Sequence, residues 1–83
     1  MKSELISITE TPVLIRVAQP EPETVYYYPE AQDIYLGGSD VTVANGMKLT
    51  KNVITPIYIR GGQTLYAKVA TGTAPLVCLC ESP

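Results

Sequence analysis

Residues 34–46 read IYLGGSDVTVANG, and their spacing decides the fold class. Ile34 and Leu36 point one way and Tyr35 the other, because side chains alternate across a pleated strand. Gly37 and Gly38 end that strand with a pair of residues free to take positive φ and reverse tightly. Ser39 and Asp40 can bond the local backbone and hold the corner. Val41 and Val43 then return an apolar pair at period two, which predicts a short second strand. Asn45-Gly46 is the dipeptide favoured in a type I′ hairpin turn. The stretch therefore predicts strand, corner, strand and turn, with no helical period anywhere in it.

The same period runs outward in both directions. Toward the N-terminus, 25–28 (VYYY) places Val25 and Tyr27 on one face and Tyr26 and Tyr28 on the other. The segment 19–23 (QPEPE) is an extended connector with two prolines and no helix. Residues 13–17 (VLIRV) put Val13, Ile15 and Val17 together and Leu14 and Arg16 opposite. Residues 5–9 alternate around Ile6 and Ile8. Pro12 between those two segments predicts a bend or a crossing between sheets rather than a tight hairpin.

Toward the C-terminus, Met47 and Leu49 alternate with Lys48 and Thr50, and Lys51-Asn52 is a polar turn. Residues 53–60 form another strand, in which Pro56 argues for an edge position or a bulge. Gly61-Gly62 predicts a hairpin turn into 63–70, where Leu65, Ala67 and Val69 share a face. Residues 71–75 (TGTAP) read as a turn. The last strand, 76–80, has Leu76, Cys78 and Cys80 on one side and Val77 and Leu79 on the other, which predicts a central position. Glu81, Ser82 and Pro83 form a polar tail. Seven or eight short, mostly antiparallel strands indicate an all-β fold, a small β-sandwich or barrel. The 83 residues make one domain, 1–83, with N-terminal strands and connector in 1–24 and the main sheet region in 25–83. The turn residues to which this reading assigns structural roles are Gly37, Gly38, Asn45, Gly46, Gly61 and Gly62.

Composition bounds the function. Apolar types make up 46% of the chain and charged types 17%, below the roughly 25% charged content of ordinary globular proteins. A domain of this size buries roughly 63% of its extended surface, so its interior is thin for so many apolar residues. Either scattered apolar surface accounts for the excess, or another chain covers part of it; the second reading is preferred. Three consecutive tyrosines put at least one ring on each strand face, so Tyr26, Tyr27 and Tyr28 are candidate interface residues. The competing reading is one buried face and one ring lying flat over an exposed sheet.

Six basic residues and a net charge of −2 leave no basic stripe, so no nucleic-acid partner is expected. No apolar run reaches a membrane span and the N-terminus lacks a signal-peptide core, so no membrane partner is expected and synthesis is placed in the cytoplasm. Cys78 and Cys80, two apart on a strand, are poorly placed for an unstrained disulfide and are expected as thiols. With no histidine there is no ordinary triad or metal constellation. The turn 37–40 lacks the spacing of a phosphate loop, and Asp33 with Asp40 makes a poor calcium site. The expectation is a protein that is not an enzyme, with no cofactor, no metal and no catalytic residues.

The segments IYLGGSDVTVANGMKL (34–49) and LYAKVATGTAPLVCL (65–79) resemble small tailed-bacteriophage virion proteins. The likeness covers roughly residues 25 to 80 and is a pattern of turns and strands rather than a catalytic motif. It departs from that pattern at 26–32 (YYYPEAQ), where a polar turn is more usual. The resemblance implies a β-sandwich acting as a virion structural protein, most nearly a capsid decoration or cement protein. It would bind and stabilise the head shell in many copies. The implied partners are the major capsid protein or another virion protein, together with copies of the chain itself, a trimer by analogy with other decoration proteins. The alternative reading is a head-fibre or tail module that binds a host surface glycan through exposed tyrosines. The absence of tryptophan, the usual sugar platform, favours the first.

Overall fold

The computed structural model describes residues 2–80. Among them are eight strands and no helix: β1 (Lys2–Thr9), β2 (Val13–Arg16), β3 (Glu23–Pro29), β4 (Ile34–Gly37), β5 (Met47–Leu49), β6 (Thr55–Ile59), β7 (Leu65–Val69) and β8 (Thr73–Cys80). They build two four-stranded sheets, sheet I in the order β1-β8-β3-β6 and sheet II in the order β2-β7-β4-β5. Every pairing is antiparallel. The molecule measures 33 × 24 × 16 Å, the thin axis being that of two stacked sheets. It is the expected small β-sandwich.

The alternation read from the sequence selects the core. Sheet I contributes Ile8, Val25, Tyr27, Ile59, Ala74, Leu76 and Cys78, and sheet II contributes Ile34, Leu36, Leu49, Ala67 and Val69. All are buried, and no polar or charged residue is fully buried among those described. Each large apolar side chain removed from water stabilises the fold by about 1.5–3 kcal/mol.

Successive strands mostly change sheets. Only β4 and β5 are consecutive strands paired with each other. The break at Pro12 is thus a crossing, as expected, with β1 in sheet I and β2 in sheet II. The N-terminal part is not set apart from 25–83, because β1 pairs with β8 along its whole length and β2 pairs with β7. β8 is central and β6, with Pro56, is an edge strand, both as expected.

Several expectations need correction. Val41 to Val43 is not a strand; the loop 38–46 connects β4 directly to β5. Asn45-Gly46 is not a type I′ hairpin turn. Instead Gly46 N–H donates to Thr42 O (2.8 Å), while Thr42 N–H donates to Asn45 Oδ1 (2.7 Å) and Asn45 N–H to Thr42 Oγ1 (3.1 Å). These reciprocal bonds close a single helical turn in the manner of a capping box. Gly61-Gly62 is not a hairpin turn either, because β6 and β7 lie in different sheets. Gln63 N–H donates to Arg60 O, and Gly62 has φ +80°, the third-position conformation of a type II turn. The last strand begins at Thr73 rather than Leu76. Pro75 pairs with Ser7 on β1 but lies beyond the end of β3, where Pro29 pairs with Leu76. One side of the strand is therefore unpaired there, and proline is tolerated. The tail Glu81–Pro83 lies outside the described residues.

Gly37 and Gly46 are required for space rather than for positive φ, which neither of them has. A Cβ on Gly37 would fall 2.8 Å from Val41 Cγ2, and one on Gly46 would fall 2.8 Å from both Val41 Cγ2 and Tyr35 Cβ. Val41 is buried yet belongs to no part of the main core. Loop 38–46 thus folds back on sheet II and buries one valine against two glycines. Gly38 has no such neighbour: its Cβ would meet only Asp40 Oδ1, at 3.4 Å.

Candidate functional site: the outer face of sheet I and the cleft at its end

In a ladder, residues directly paired across strands share a face. The residues adjacent in sequence to the buried ones on β1, β8, β3 and β6 therefore all lie on the outside of sheet I. Register gathers them into rows: Leu5, Val77 and Tyr28; Ser3, Leu79, Tyr26 and Pro56; Thr24 and Tyr58; Ser7 and Pro75. Leu5 is 66% exposed and Tyr58 is 65% exposed. The described part of this face carries apolar, aromatic, proline and hydroxyl side chains and no charged one.

The outside of sheet II differs in kind. Tyr35 on β4 pairs with Lys68 on one side and Lys48 on the other. Lys48 Nζ reaches Asp33 Oδ2 at 3.3 Å. Asp33 Oδ1 accepts Lys51 N–H at 2.8 Å, and that backbone bond, followed by Lys48, holds the Asp33 carboxyl below its ordinary range. One sheet thus has a charged outer face, part of it covered by loop 38–46, and the other has a neutral one.

The three tyrosines separate accordingly. Tyr26 and Tyr28 lie on the neutral outer face, and the Tyr28 hydroxyl donates to Asn52 Oδ1 at 3.3 Å. Tyr27 is withdrawn as an interface residue, because it is 1% exposed and packed in the core. Burial, followed by the neighbouring Cys78 and Cys80, pushes its hydroxyl pKa well up. Of the turn residues, Gly37 ends β4, Gly38, Asn45 and Gly46 lie in the loop 38–46 that follows it, and Gly61 and Gly62 belong to another turn. A Cβ on Gly61 would fall 2.7 Å from Pro20 O, and Gly62 N–H donates to Gln19 O at 2.6 Å. That turn holds the Pro-rich connector in place. Leu5, Tyr58, Pro75 and Leu79 were not singled out as interface residues from the sequence, and Pro56 was read there only as the mark of an edge strand or bulge. For Leu79 the signal was that both faces of 76–80 are apolar.

A second feature lies where the connector 17–22 passes the end of the sandwich. A cleft of about 700 Å3 opens there, with Arg16, Glu23, Tyr27, Cys78, Cys80 and Glu4 among its walls. β2 carries a bulge between Leu14 and Arg16, so that Arg16 pairs with Leu65, a residue of the inner face. The bulge overturns the expected outward position of Arg16 and aims its side chain inward. There its guanidinium is ion-paired with Glu23, and each side chain is 10% exposed. Arg16 Nε is buried without an acceptor. Cys78 and Cys80 are thiols, not a disulfide. Burial, followed by Cys80 and Glu4, pushes the Cys78 thiol up to about 12, which makes it a poor nucleophile at neutral pH.

Comparison with protein-family models, with curated proteins and with solved structures finds no match for this chain. The fold and the surface define a class, a small β-sandwich with one neutral, apolar outer face, and the reading of its role rests on that surface.

Proposed function

We propose that this protein is a non-enzymatic docking subunit that lays the outer face of sheet I against a larger protein surface. Its resemblance to small tailed-phage virion proteins makes the head shell that surface. In this reading it is a capsid decoration or cement protein, present in many copies on the virion. The observation that carries the proposal is the uncharged outer face of sheet I. Obligate interfaces are depleted of charge and enriched in aromatic residues at their centre, and this face offers Tyr26, Tyr28 and Tyr58 with no charge among them. The broad side of the molecule, 33 × 24 Å, matches the roughly 800 Å2 per partner of a standard interface. The partners proposed are the major capsid protein or another virion protein, with a homo-oligomer, a trimer by analogy, as the arrangement.

The test is co-sedimentation of purified protein with undecorated shells, with the bound copies counted. Saturable decoration supports the reading. Tyr58→Lys, which places a charge on the face, should abolish binding while the protein stays folded. Wild-type protein that leaves bare shells undecorated yet binds a defined glycan would replace this reading with that of a receptor-binding module.

A further inference from the structure

The strands that end the two sheets differ in how they treat their free edges. A free edge offers unpaired N–H and C=O groups to another strand, and proteins blunt it with proline, a bulge or shortness. β6 carries Pro56, β2 carries the bulge between Leu14 and Arg16, and β5 is 3 residues long. β1 has none of these: it runs 8 residues, from Lys2 to Thr9, in unbroken register with β8. We propose that β1 pairs antiparallel with β1 of a second copy of this chain across a two-fold axis, joining the two copies of sheet I into one continuous sheet. The pairing uses an edge and not the outer face of sheet I, so it does not rest on the docking reading.

Three prolines fix which backbone groups face that edge. A proline has no N–H to give, so it sits where the strand it faces asks for none. Pro75 faces Ser7, Pro29 faces Leu76 and Pro56 faces Tyr26. Bonded and unbonded pairs alternate along an antiparallel ladder, and all three prolines set the same phase. Glu4, Ile6 and Ile8 therefore bond to β8, while Ser3, Leu5, Ser7 and Thr9 turn N–H and C=O outward to the free edge. Ser3, Leu5 and Ser7 are exposed. A two-fold axis centred on Ile6 engages all four outward residues. Ser3 then faces Thr9 of the second copy, and Leu5 faces its Ser7.

The side chains suit that register. Glu4, the one charged residue between positions 3 and 9, falls opposite Ile8 of the second copy. A two-fold axis centred on Glu4 would instead set carboxylate against carboxylate. On the outer side the seam brings together Leu5, Thr9 and the serines, with no charge among them. On the inner side Ile6 lines the cleft with Leu14 and Val17, both of which are exposed. Ile6 of the second copy faces Ile6 as an unbonded pair, with Cα atoms about 4.5 Å apart, and extends that apolar wall. The proline of β6, the bulge of β2 and the shortness of β5 deny β1 a full-length partner among the other edges, so β1 finds it in β1. Such an isologous contact closes at two copies and makes a dimer, in place of the trimer drawn by analogy.

The test is sedimentation of the full chain over a range of concentrations, with hydrogen exchange of the β1 amides measured at both ends of that range. The expected result is a monomer–dimer equilibrium in which the Leu5 and Ser7 amides exchange rapidly in dilute protein and slowly in concentrated protein. The Glu4, Ile6 and Ile8 amides, bonded to β8, should be slow in both. Ser7→Pro removes an outward N–H and leaves the ladder with β8 in place, so the folded variant should dimerise at least about tenfold more weakly. Exchange in the wild-type protein needs no substitution and decides the question even where Ser7→Pro fails to fold. A monomer at the highest soluble concentration, a trimer, or a dimer whose Leu5 and Ser7 amides exchange as fast as those of the monomer overturns the proposal. So does a folded Ser7→Pro protein that dimerises as tightly as the wild type.

Discussion

Arg16 on β2 and Glu23 on β3 join the two sheets through a single ion pair, at the point where the Pro-rich connector leaves one sheet and enters the other. Both side chains are only 10% exposed. The pair exists because the bulge in β2 turns Arg16 from the outer to the inner side. Removing one partner leaves the other charge buried and uncompensated, which costs about 3–5 kcal/mol. Glu23→Gln should therefore lower the urea midpoint strongly. Arg16→Met with Glu23→Leu, which replaces the pair by apolar groups, should recover most of that loss. A double variant as unstable as Glu23→Gln would show that the two effects do not share this cause.

The glycines of the β4–β5 loop should rank by the space around them. Gly46→Ala forces a Cβ to within 2.8 Å of Tyr35 Cβ and 2.9 Å of Thr42 O, and should cost roughly 1–3 kcal/mol by overpacking. Gly37→Ala meets Val41 alone, so Val41→Ala should partly rescue it. Gly38→Ala should change stability by less than about 0.5 kcal/mol. Thermal melting of the three single variants and the Gly37→Ala, Val41→Ala protein checks the order.

Stability should fall in alkali. In the unfolded chain Cys78 ionises near its ordinary 9.0, whereas the folded protein holds it protonated up to about 12. Tyr27 is shifted in the same direction from 10.0. Above pH 9 the unfolded state therefore releases protons that the native state keeps, so unfolding becomes progressively easier as pH rises through this window. Urea midpoints measured from pH 7 to 11 should decline from about pH 9, and Cys78→Ala should flatten part of that decline. The same shift predicts slow alkylation of Cys78 at pH 8 in the native protein, with rapid labelling in denaturant.

The adjacent tyrosines should behave oppositely. Tyr27→Ala opens a hole in the core and should destabilise by about 3–5 kcal/mol. Tyr26→Ala on the outer face should leave stability much nearer to that of the wild type but, if it is a hot spot, weaken shell binding by about 2 kcal/mol. Denaturation curves and shell sedimentation of the two variants separate the roles. Loss of binding by Tyr26→Ala only in proportion to lost folding would remove it from the interface.

The all-β class, the grouping of side chains on the two sides of most strands, the crossing at Pro12 and the edge position of Pro56 were legible in the sequence. Each follows from local rules: side chains alternate along a strand, and proline lacks the donor that an inner strand needs. That Val25 and Tyr27 share a face, opposite Tyr26 and Tyr28, needed nothing but that alternation. Which of those faces is inside needed the other sheet. Only the tertiary structure decided the rest, because pairing joins residues far apart in the chain. The partner of β6 is β3, not the following β7, so the Gly61-Gly62 pair serves a crossing and not a hairpin. Gly37 and Gly46 are needed because Val41 folds back between them, a contact no local period announces. Arg16 points inward because one extra residue enters β2 opposite β7, which reverses the alternation the sequence alone predicts. The neutral outer face of sheet I is likewise a product of register: β1, β3, β6 and β8 each bring one or two apolar residues, and only their alignment makes them a single surface.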